Sequence, residues 1–220
     1  MFSTHNRLLS LTIRILGFVA LSTIYAFYLG SINDLFWLAR YEIQAGFIYI
    51  IVLGFEIIFN LISLRYGVLG YPGGVYMPMK LGVTLYVLLS TFLHMVIPFS
   101  TLEGEKTLIA GVYSVLFFLF ALADWIFFDE KGTVKYHNAF WYLIYPMFYL
   151  IFNVFRPYIF GFSAIYRDGT TFPYGYLNPE NNTAVVGIIL SFLVVLALGL
   201  VMIFINDLLS GKYKKRVQDY

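Results

Sequence analysis

Cysteine is absent from the 220 residues, which excludes disulfide bonds, a thiolate nucleophile and Cys-ligated zinc or iron–sulfur sites. Charged residues make up only 12% of the chain and the formal net charge is +2, so nucleic acid is not a predicted partner. Hydrophobic residues make up 60%, well above the proportion typical of soluble globular domains. The composition predicts a membrane protein, and we expect neither a cofactor nor a metal centre.

Six apolar stretches approach the length of a bilayer-crossing helix, which is about 20 residues. We find no internal repeat and no soluble domain between them. The sequence therefore predicts an all-α polytopic membrane protein with a single domain over residues 1–220. The predicted spans are residues 9–29, 43–64, 81–97, 108–128, 139–155 and 184–205.

The distribution of lysine and arginine predicts how these spans are oriented. An even number of spans places both termini on the same side. With the termini inside, ten of the lysines and arginines flank the inner ends of the spans and four flank the outer ends. Because cytoplasmic loops carry an excess of these residues, both termini are predicted to be cytoplasmic.

Polar and small residues recur three or four positions apart in spans two to five, which places them on one face of each helix. In the second span, Phe47, Ile51 and Phe59 lie off this face and suit lipid. Spans two to five are therefore predicted to surround a common polar interior. The stripes are Glu42, Gly46, Tyr49, Leu53, Glu56, Asn60 and Ser63; Lys80, Thr84, Val87, Thr91, His94 and Pro98; Ala110, Ser114, Phe117, Ala121 and Asp124; and Tyr142, Tyr145, Tyr149, Asn153 and Arg156.

Orientation divides the charged members of the interior by depth. Arg14, Glu56, Lys80 and Asp124 are predicted to form an inner polar cluster. Ion pairing that holds the helices together is one interpretation, because buried charges persist only when they are paired. A proton or ion pathway towards the outer side is the alternative, since intramembrane carboxylates and histidines form such relays.

His94, Glu42 and Thr91 are the candidate catalytic residues of an outer cluster. An ionisable side chain within a membrane span is costly and marks a possible site. The near-neutral pKa of histidine suits His94 to act as a general base, with Glu42 orienting it and Thr91 as a nucleophile. Alternatively, a neutral His94 bonds to a hydroxyl one turn earlier and serves packing only.

Aromatic and basic residues on the outer side are candidate substrate contacts. Tyr145 and Tyr149 follow one face of the fifth span, which ends in Arg156. Arg156 could receive a carboxylate or phosphate head group, and Tyr174 lies in the loop that follows. Tyrosines also gather at membrane interfaces without binding any ligand, so both interpretations stay open.

Four motifs in series carry a family resemblance over residues 91–179. They are TFLHMVIP around His94, ADWIFFDEKG, WYLIYPMFY and FPYGYLNP. In their order and spacing they resemble the bacterial relatives of the androgen-induced membrane hydrolases, which cleave fatty acid esters of hydroxy fatty acids. The resemblance implies six spans, a bacterial cell membrane, and a lipid or fatty acyl substrate.

The resemblance also implies a catalytic pair of a threonine nucleophile and a histidine base. His94 stands at the position of that histidine. At the position of the threonine this chain reads RYEIQAG, which places Glu42 there. The expected function is hydrolysis of a lipid or fatty acyl ester by His94 with Glu42 in place of the threonine. The alternative is a membrane protein that binds lipid, or moves a small solute or protons, without catalysis.

Overall fold

The computed structural model describes residues 6–32, 38–96, 105–160, 172–174, 177–178, 180 and 182–210. Within helices, residues 32, 93–96, 105–108 and 160 are described by their backbone alone. Six α-helices make up most of this part of the chain. They are α1 (Arg7–Ile32), α2 (Tyr41–Ser63), α3 (Met77–Val96), α4 (Glu105–Phe128), α5 (Ile144–Phe160) and α6 (Ala184–Leu209).

Five helical segments of the described chain are long and apolar enough to cross a membrane, which indicates an integral membrane protein. They are Arg7–Ser31, Tyr41–Tyr66, Ile109–Phe128, Tyr136–Ile159 and Ala184–Leu209. The predicted third span corresponds to α3, which is apolar over Met77–Phe92. The fourth of these segments is not a single α-helix, since a 3₁₀ helix over Tyr136–Leu143 precedes α5.

Helices α1 to α4 form a closed four-helix bundle in which each helix packs against the next and α1 packs against α4. The sequence predicted that spans two to five surround a common interior, but in the structure α1 rather than α5 closes the ring with α2, α3 and α4. Helix α5 lies outside the ring beside the 3₁₀ helix, and α6 packs against the 3₁₀ helix and α3. Arg14 brings α1 into the ring, where it bonds to Asp124 and Asp129 as a member of the predicted inner polar cluster.

Helix α3 is the central element of the fold. Its residues 81–87 and 89–91 are all buried, so it is covered on every side over more than two turns. A helix that is hydrophobic all round is characteristic of a core position. In contrast, α2 exposes Phe47, Ile51, Ile58 and Phe59 on one face, as its stripe predicts.

The loop between α2 and α3 closes one end of the bundle. Asn6 caps α1 by accepting a hydrogen bond from the Leu9 backbone N–H at 3.0 Å. Arg7 ties this helix start to the loop, since its Nε donates to the Tyr71 carbonyl oxygen at 2.9 Å. The loop is thereby held against the beginning of α1.

Two glycines on different helices accommodate the ring of Tyr142, which is 2% exposed. A Cβ atom at Gly82 of α3 would lie 2.8 Å from the Tyr142 ring, and one at Gly199 of α6 would lie 2.9 Å from it. The phenol ring thus fills a slot that only glycine leaves open on both sides. This contact fixes the 3₁₀ helix against the bundle.

We expect Gly199→Leu to lower the free energy of unfolding by about 1–3 kcal/mol, because the added side chain overpacks the Tyr142 slot. Thermal unfolding of the full chain in detergent micelles measures the change. Gly111→Leu on α4 is the matched control, since a Cβ there meets nothing within 4 Å. Equal unfolding temperatures for Gly199→Leu and the unsubstituted chain would contradict the packing described for Tyr142.

Candidate functional site

Five buried charged side chains form a network near the end of the bundle that the α2–α3 loop closes. This ion cluster consists of Arg14, Glu56, Lys80, Asp124 and Asp129, none more than 6% exposed. Arg14 donates from Nε to Asp124 Oδ1 and from Nη2 to Asp129 Oδ1, both at 2.9 Å. Lys80 Nζ donates to carboxylate oxygens of Glu56 and Asp124. Each carboxylate therefore contacts a cation, as burial requires.

The ion cluster draws one residue from each helix of the ring and one from the turn after α4. The loop contributes through Gly73, whose carbonyl oxygen accepts a hydrogen bond from Arg14 Nη1 at 3.1 Å. The Gly73 backbone N–H donates to Ser63 Oγ at 3.1 Å. A Cβ at Gly73 would lie only 2.3 Å from the Phe59 carbonyl oxygen, so glycine is required for this approach.

The structure brings Arg14, Glu56, Lys80 and Asp124 together and adds Asp129, which the helical stripes did not include. Asp129 directly follows the last residue of α4 and lies five positions after Asp124, away from the α4 stripe. Its position at the end of an apolar helix was the available signal. A carboxylate there must contact either water or a buried partner.

Three carboxylates of the ion cluster are close enough to suggest a metal site. Glu56, Asp124 and Asp129 each offer an oxygen within 4.8 Å of the others. However, Arg14 and Lys80 already bond to these carboxylates and supply the positive charge that a metal would bring. The donor set fits ion pairing among side chains better than it fits a metal ion.

The turn after α4 adds a sixth charged group. Lys131 Nζ donates to the carbonyl oxygen of Trp125 and, at 3.1 Å, to that of Asp129. Burial lowers the pKa of Lys131 to about 8, and burial raises the pKa of the Asp129 carboxyl above its ordinary value. Lys131 therefore balances charge near Asp129 without donating to its carboxylate in any contact that the described residues show.

Glu42 forms a second polar site near the opposite end of the bundle, at the start of α2. Its side chain is 3% exposed. Oε2 accepts a hydrogen bond from Tyr174 Oη at 2.5 Å, and Oε1 lies 3.5 Å from Arg40 Nη1. Tyr113 Oη donates to the Glu42 carbonyl oxygen at 2.9 Å. We call Arg40, Glu42, Tyr113 and Tyr174 the Glu42 site.

Gly46 makes room for this arrangement one turn into α2. A Cβ at position 46 would lie 1.9 Å from the Tyr113 hydroxyl oxygen. The missing side chain lets the Tyr113 hydroxyl reach the backbone of α2. Gly46, the small residue of the polar stripe, therefore allows the contact between Tyr113 and Glu42 to form.

The predicted tyrosine contacts lie beside the Glu42 site. Tyr174 bonds to Glu42 directly, whereas Tyr145 Oη donates to Gln44 Oε1 at 3.1 Å. The Tyr41 ring packs between those of Tyr145 and Tyr149, with centroid distances of 5.4 Å and 5.2 Å. The tyrosines of α5 therefore connect this helix to the start of α2.

The other predicted site residues have different environments. Thr91 Oγ1 lies 3.1 Å from the carbonyl oxygens of both Val87 and Ser114, so its hydroxyl proton is directed at backbone acceptors. Arg156 is buried on α5 at 3% exposure. The backbone of His94 belongs to α3, but its side chain lies outside the described residues.

An apolar cleft of about 170 Å³ opens next to the Glu42 site. Tyr41, the neighbour of Glu42 in the sequence, lines it together with residues of α3, α5 and α6. Its α6 wall includes Leu190, which is 54% exposed on the outer surface of the protein. The cleft therefore connects the membrane-facing surface with the start of α2.

A larger cavity of about 560 Å³ lies between the start of α3 and the 3₁₀ helix. Tyr86 and Tyr145 line its inner part, and the exposed Tyr76 and Trp141 line its mouth. Exposed tyrosine and tryptophan are typical of a membrane–water interface. This cavity belongs to the end of the bundle that holds the ion cluster.

Aromatic rings fill the space between the ion cluster and the Glu42 site. Tyr113 and Phe117 have ring centroids 4.5 Å apart, and Phe117 and Tyr49 have centroids 6.3 Å apart. Lys80 Nζ lies 5.2 Å from the Tyr49 ring centroid. Among the described residues the buried Tyr49 hydroxyl has no hydrogen-bond partner. Among the described residues, these aromatic rings therefore offer no continuous chain of hydrogen bonds between the two sites.

Comparison of the chain with protein-family models, with curated proteins and with solved structures found no match.

We expect Lys80→Met to destabilise the fold by about 3–5 kcal/mol, because it leaves Glu56 and Asp124 buried with less compensating charge. Adding Asp124→Asn to it should cost less than the sum of the two single changes, with a coupling of about 0.5–3 kcal/mol. Denaturant unfolding of all four proteins in micelles measures both quantities.

Lys135→Met, which removes a lysine beyond the ion cluster, is the control and should leave stability within about 0.5 kcal/mol. Additive effects of Lys80→Met and Asp124→Asn would show that the two residues do not interact as the structure indicates.

Proposed function

We propose that the Glu42 site binds the polar end of an acyl lipid while the adjacent cleft takes part of its chain. The observation that carries this proposal is the juxtaposition of a buried carboxylate with an apolar cleft. Glu42 is held by Tyr174 and Arg40, and its neighbour Tyr41 lines the cleft. A few fixed polar groups beside an apolar pocket are the usual design of a ligand site.

The route of entry supports a lipid as the ligand. The α6 side of the cleft includes Leu190, Val194 and Val195, and the first two are exposed on the surface of the protein. An acyl chain in the bilayer could therefore slide sideways into the cleft without crossing water. Burial of its methylene groups contributes roughly 0.8 kcal/mol for each group removed from water.

Hydrolysis of an ester bond in this lipid is the second candidate function. It rests on the resemblance around His94 and on Glu42, the carboxylate at the position of the family threonine. The Thr91 hydroxyl is directed at two backbone carbonyl oxygens, which disfavours it as the nucleophile. A water activated by His94 or Glu42 is the alternative nucleophile.

The proposed reaction adds one water across the ester bond. The base removes a proton from water, and the hydroxide oxygen bonds to the acyl carbon. The bond from that carbon to the alcohol oxygen then breaks, and the leaving oxygen receives the proton. The products are a fatty acid and an alcohol, and the base returns to its starting state.

We also propose that α3 is a sixth span and that both termini are cytoplasmic. Its 20 residues approach the length that crosses a bilayer, and its packing against α2 and α4 supports a crossing beside them. On this topology the ion cluster lies towards the cytoplasm and the Glu42 site towards the outside.

Because the chain has no cysteine, single cysteines can report sidedness directly. In intact cells, a membrane-impermeant maleimide is expected to label Glu180→Cys and to leave Lys135→Cys unlabelled until the cells are opened. Both residues flank described helices and lie in connections between them. Labelling of Lys135→Cys in intact cells would exclude cytoplasmic termini.

Lipid binding and turnover can be tested together on purified protein with a fluorescent fatty acid ester of a hydroxy fatty acid. We expect saturable binding that Leu190→Trp weakens at least about tenfold, because the indole fills the cleft. Leu193→Trp is the matched control, since Leu193 is equally exposed on α6 at 55%. Absence of binding, or equal binding by both tryptophan variants, would overturn the proposed lipid site.

Turnover in the same assay decides the second candidate. Glu42→Gln and His94→Ala are expected to lower it by about 10²–10⁴-fold if the two groups handle the proton. Lipid that binds without being cleaved assigns a binding function alone. Turnover that survives His94→Ala removes His94 as the base.

A further inference from the structure

A cavity of about 290 Å³ opens at the end of the bundle beside the ion cluster. It lies between the α2–α3 loop and the turn after α4. Arg14 and Asp129 reach it from the ion cluster, and the exposed Glu130 and Thr133 stand among its lining residues. The cavity therefore connects a buried charged network with the surface.

The three carboxylates of the ion cluster share Arg14 and Lys80, and Lys131 supplies a third positive charge beside them, so the charges balance in number. The hydrogen-bond donors are distributed unevenly, and Asp129 is the carboxylate that lacks one. Its Oδ1 accepts from Arg14, but its buried Oδ2 has no hydrogen-bond partner among the described residues. A buried acceptor on a charged group that lacks a donor is costly.

The neighbouring cations direct no donor at Asp129 Oδ2. Arg14 directs Nε, Nη1 and Nη2 at Asp124 Oδ1, the Gly73 carbonyl oxygen and Asp129 Oδ1. Lys131 donates to the carbonyl oxygens of Trp125 and Asp129 rather than to the carboxylate. The missing donor must therefore come from outside the cluster.

The walls of the cavity indicate what kind of donor fits. Tyr71, Tyr76 and Phe128 line it, and aromatic rings attract organic cations. Its volume exceeds what a bare ion needs, and Arg14 at 2.9 Å from Asp129 repels a divalent metal about twice as strongly as a monovalent ammonium. Glu130 adds a second negative charge at the mouth.

We propose that this cavity binds a primary ammonium group, with an N–H of the ligand donating to Asp129 Oδ2 and the carbon chain lying against the aromatic wall. The ammonium supplies the missing hydrogen-bond donor. It can belong to an aminophospholipid head group or to a free amine in solution. The site is separate from the Glu42 site and does not depend on the function proposed there.

Calorimetry on the full-length protein in nanodiscs tests this assignment, with ethanolamine as the free probe. In nanodiscs of phosphatidylglycerol we expect saturable binding of ethanolamine that Asp129→Asn weakens at least tenfold. Glu180→Gln removes an exposed carboxylate that does not line the cavity and should leave the affinity unchanged within about twofold. Choline, whose nitrogen carries no hydrogen, should bind more weakly than ethanolamine.

A second variant separates loss of binding from loss of the fold, which Asp129→Asn alone could confuse. Thr133→Trp keeps the carboxylate and fills the cavity from its exposed side, so it should also abolish binding. Nanodiscs that contain phosphatidylethanolamine distinguish the source of the ligand. Weaker apparent binding of ethanolamine there identifies the lipid head group as an occupant, and unchanged binding identifies the free amine.

Three results would overturn the proposal. The first is the absence of saturable ethanolamine binding in phosphatidylglycerol together with no preference for phosphatidylethanolamine. The second is ethanolamine binding that both Asp129→Asn and Thr133→Trp leave unchanged. The third is equal displacement of ethanolamine by potassium chloride at the same concentration, which would reveal a site for any monovalent cation.

Discussion

The guanidinium group of Arg14 bonds to three separate parts of the chain. Its planar fork presents N–H groups in fixed directions, which suits several acceptors at once. One direction leads to Asp124 on α4, one to Asp129 in the following turn, and one to the Gly73 carbonyl oxygen in the α2–α3 loop. An unpaired arginine at this depth would be strongly unfavourable, so the charge requires α1 to lie in the ring.

Lys80 extends the same constraint to the central helix. Helix α3 is covered by protein on all sides over residues 81–87, so no lipid-facing side sets its orientation. Its Lys80 ammonium bonds to Glu56 and Asp124, which fixes the depth of α3 against α2 and α4. The apolar residues supply most of the contact, whereas the ion pairs select one arrangement. This resembles the way in which a buried polar residue sets register in helical assemblies.

Periodicity in the sequence was informative where a helix has one face towards protein and one towards lipid. The α2 stripe from Glu42 to Asn60 is buried, and Phe47 and Phe59 opposite it are exposed, because a period of 3.6 residues separates the two environments. The same reasoning could not show that α3 is buried on its other sides as well, since an apolar side chain fits lipid and protein interior equally well. It also assigned the fifth span to the ring, where α1 stands.

Sequence reasoning identified the site residues incompletely for a similar reason. Charge pairing predicted that Arg14, Glu56, Lys80 and Asp124 belong together, because few groups could compensate them. This reasoning did not identify Asp129, because Asp129 follows the end of α4 and has no helical spacing to the other members. The contact from Tyr174 to Glu42 joins residues 132 positions apart, and no local pattern encodes it. A resemblance around His94 suggested the chemistry, but the geometry of the imidazole lies outside the described residues.

The two polar ends of the bundle differ in how tightly their charges are held. In the ion cluster, several charge-assisted bonds of 2.9 Å or less join α1, α2, α3 and α4, so removing one group disturbs all four helices. At the Glu42 site the cation stands 3.5 Å away on the same segment of chain, and the short bond comes from a neutral tyrosine. These two contacts of the Glu42 carboxylate do not join the helices of the ring to one another, because Arg40 directly precedes α2 and Tyr174 lies outside the ring. The ion cluster therefore holds the ring together, whereas the ligand proposed for the Glu42 end meets a carboxylate whose contacts lie outside the ring, beside the apolar cleft.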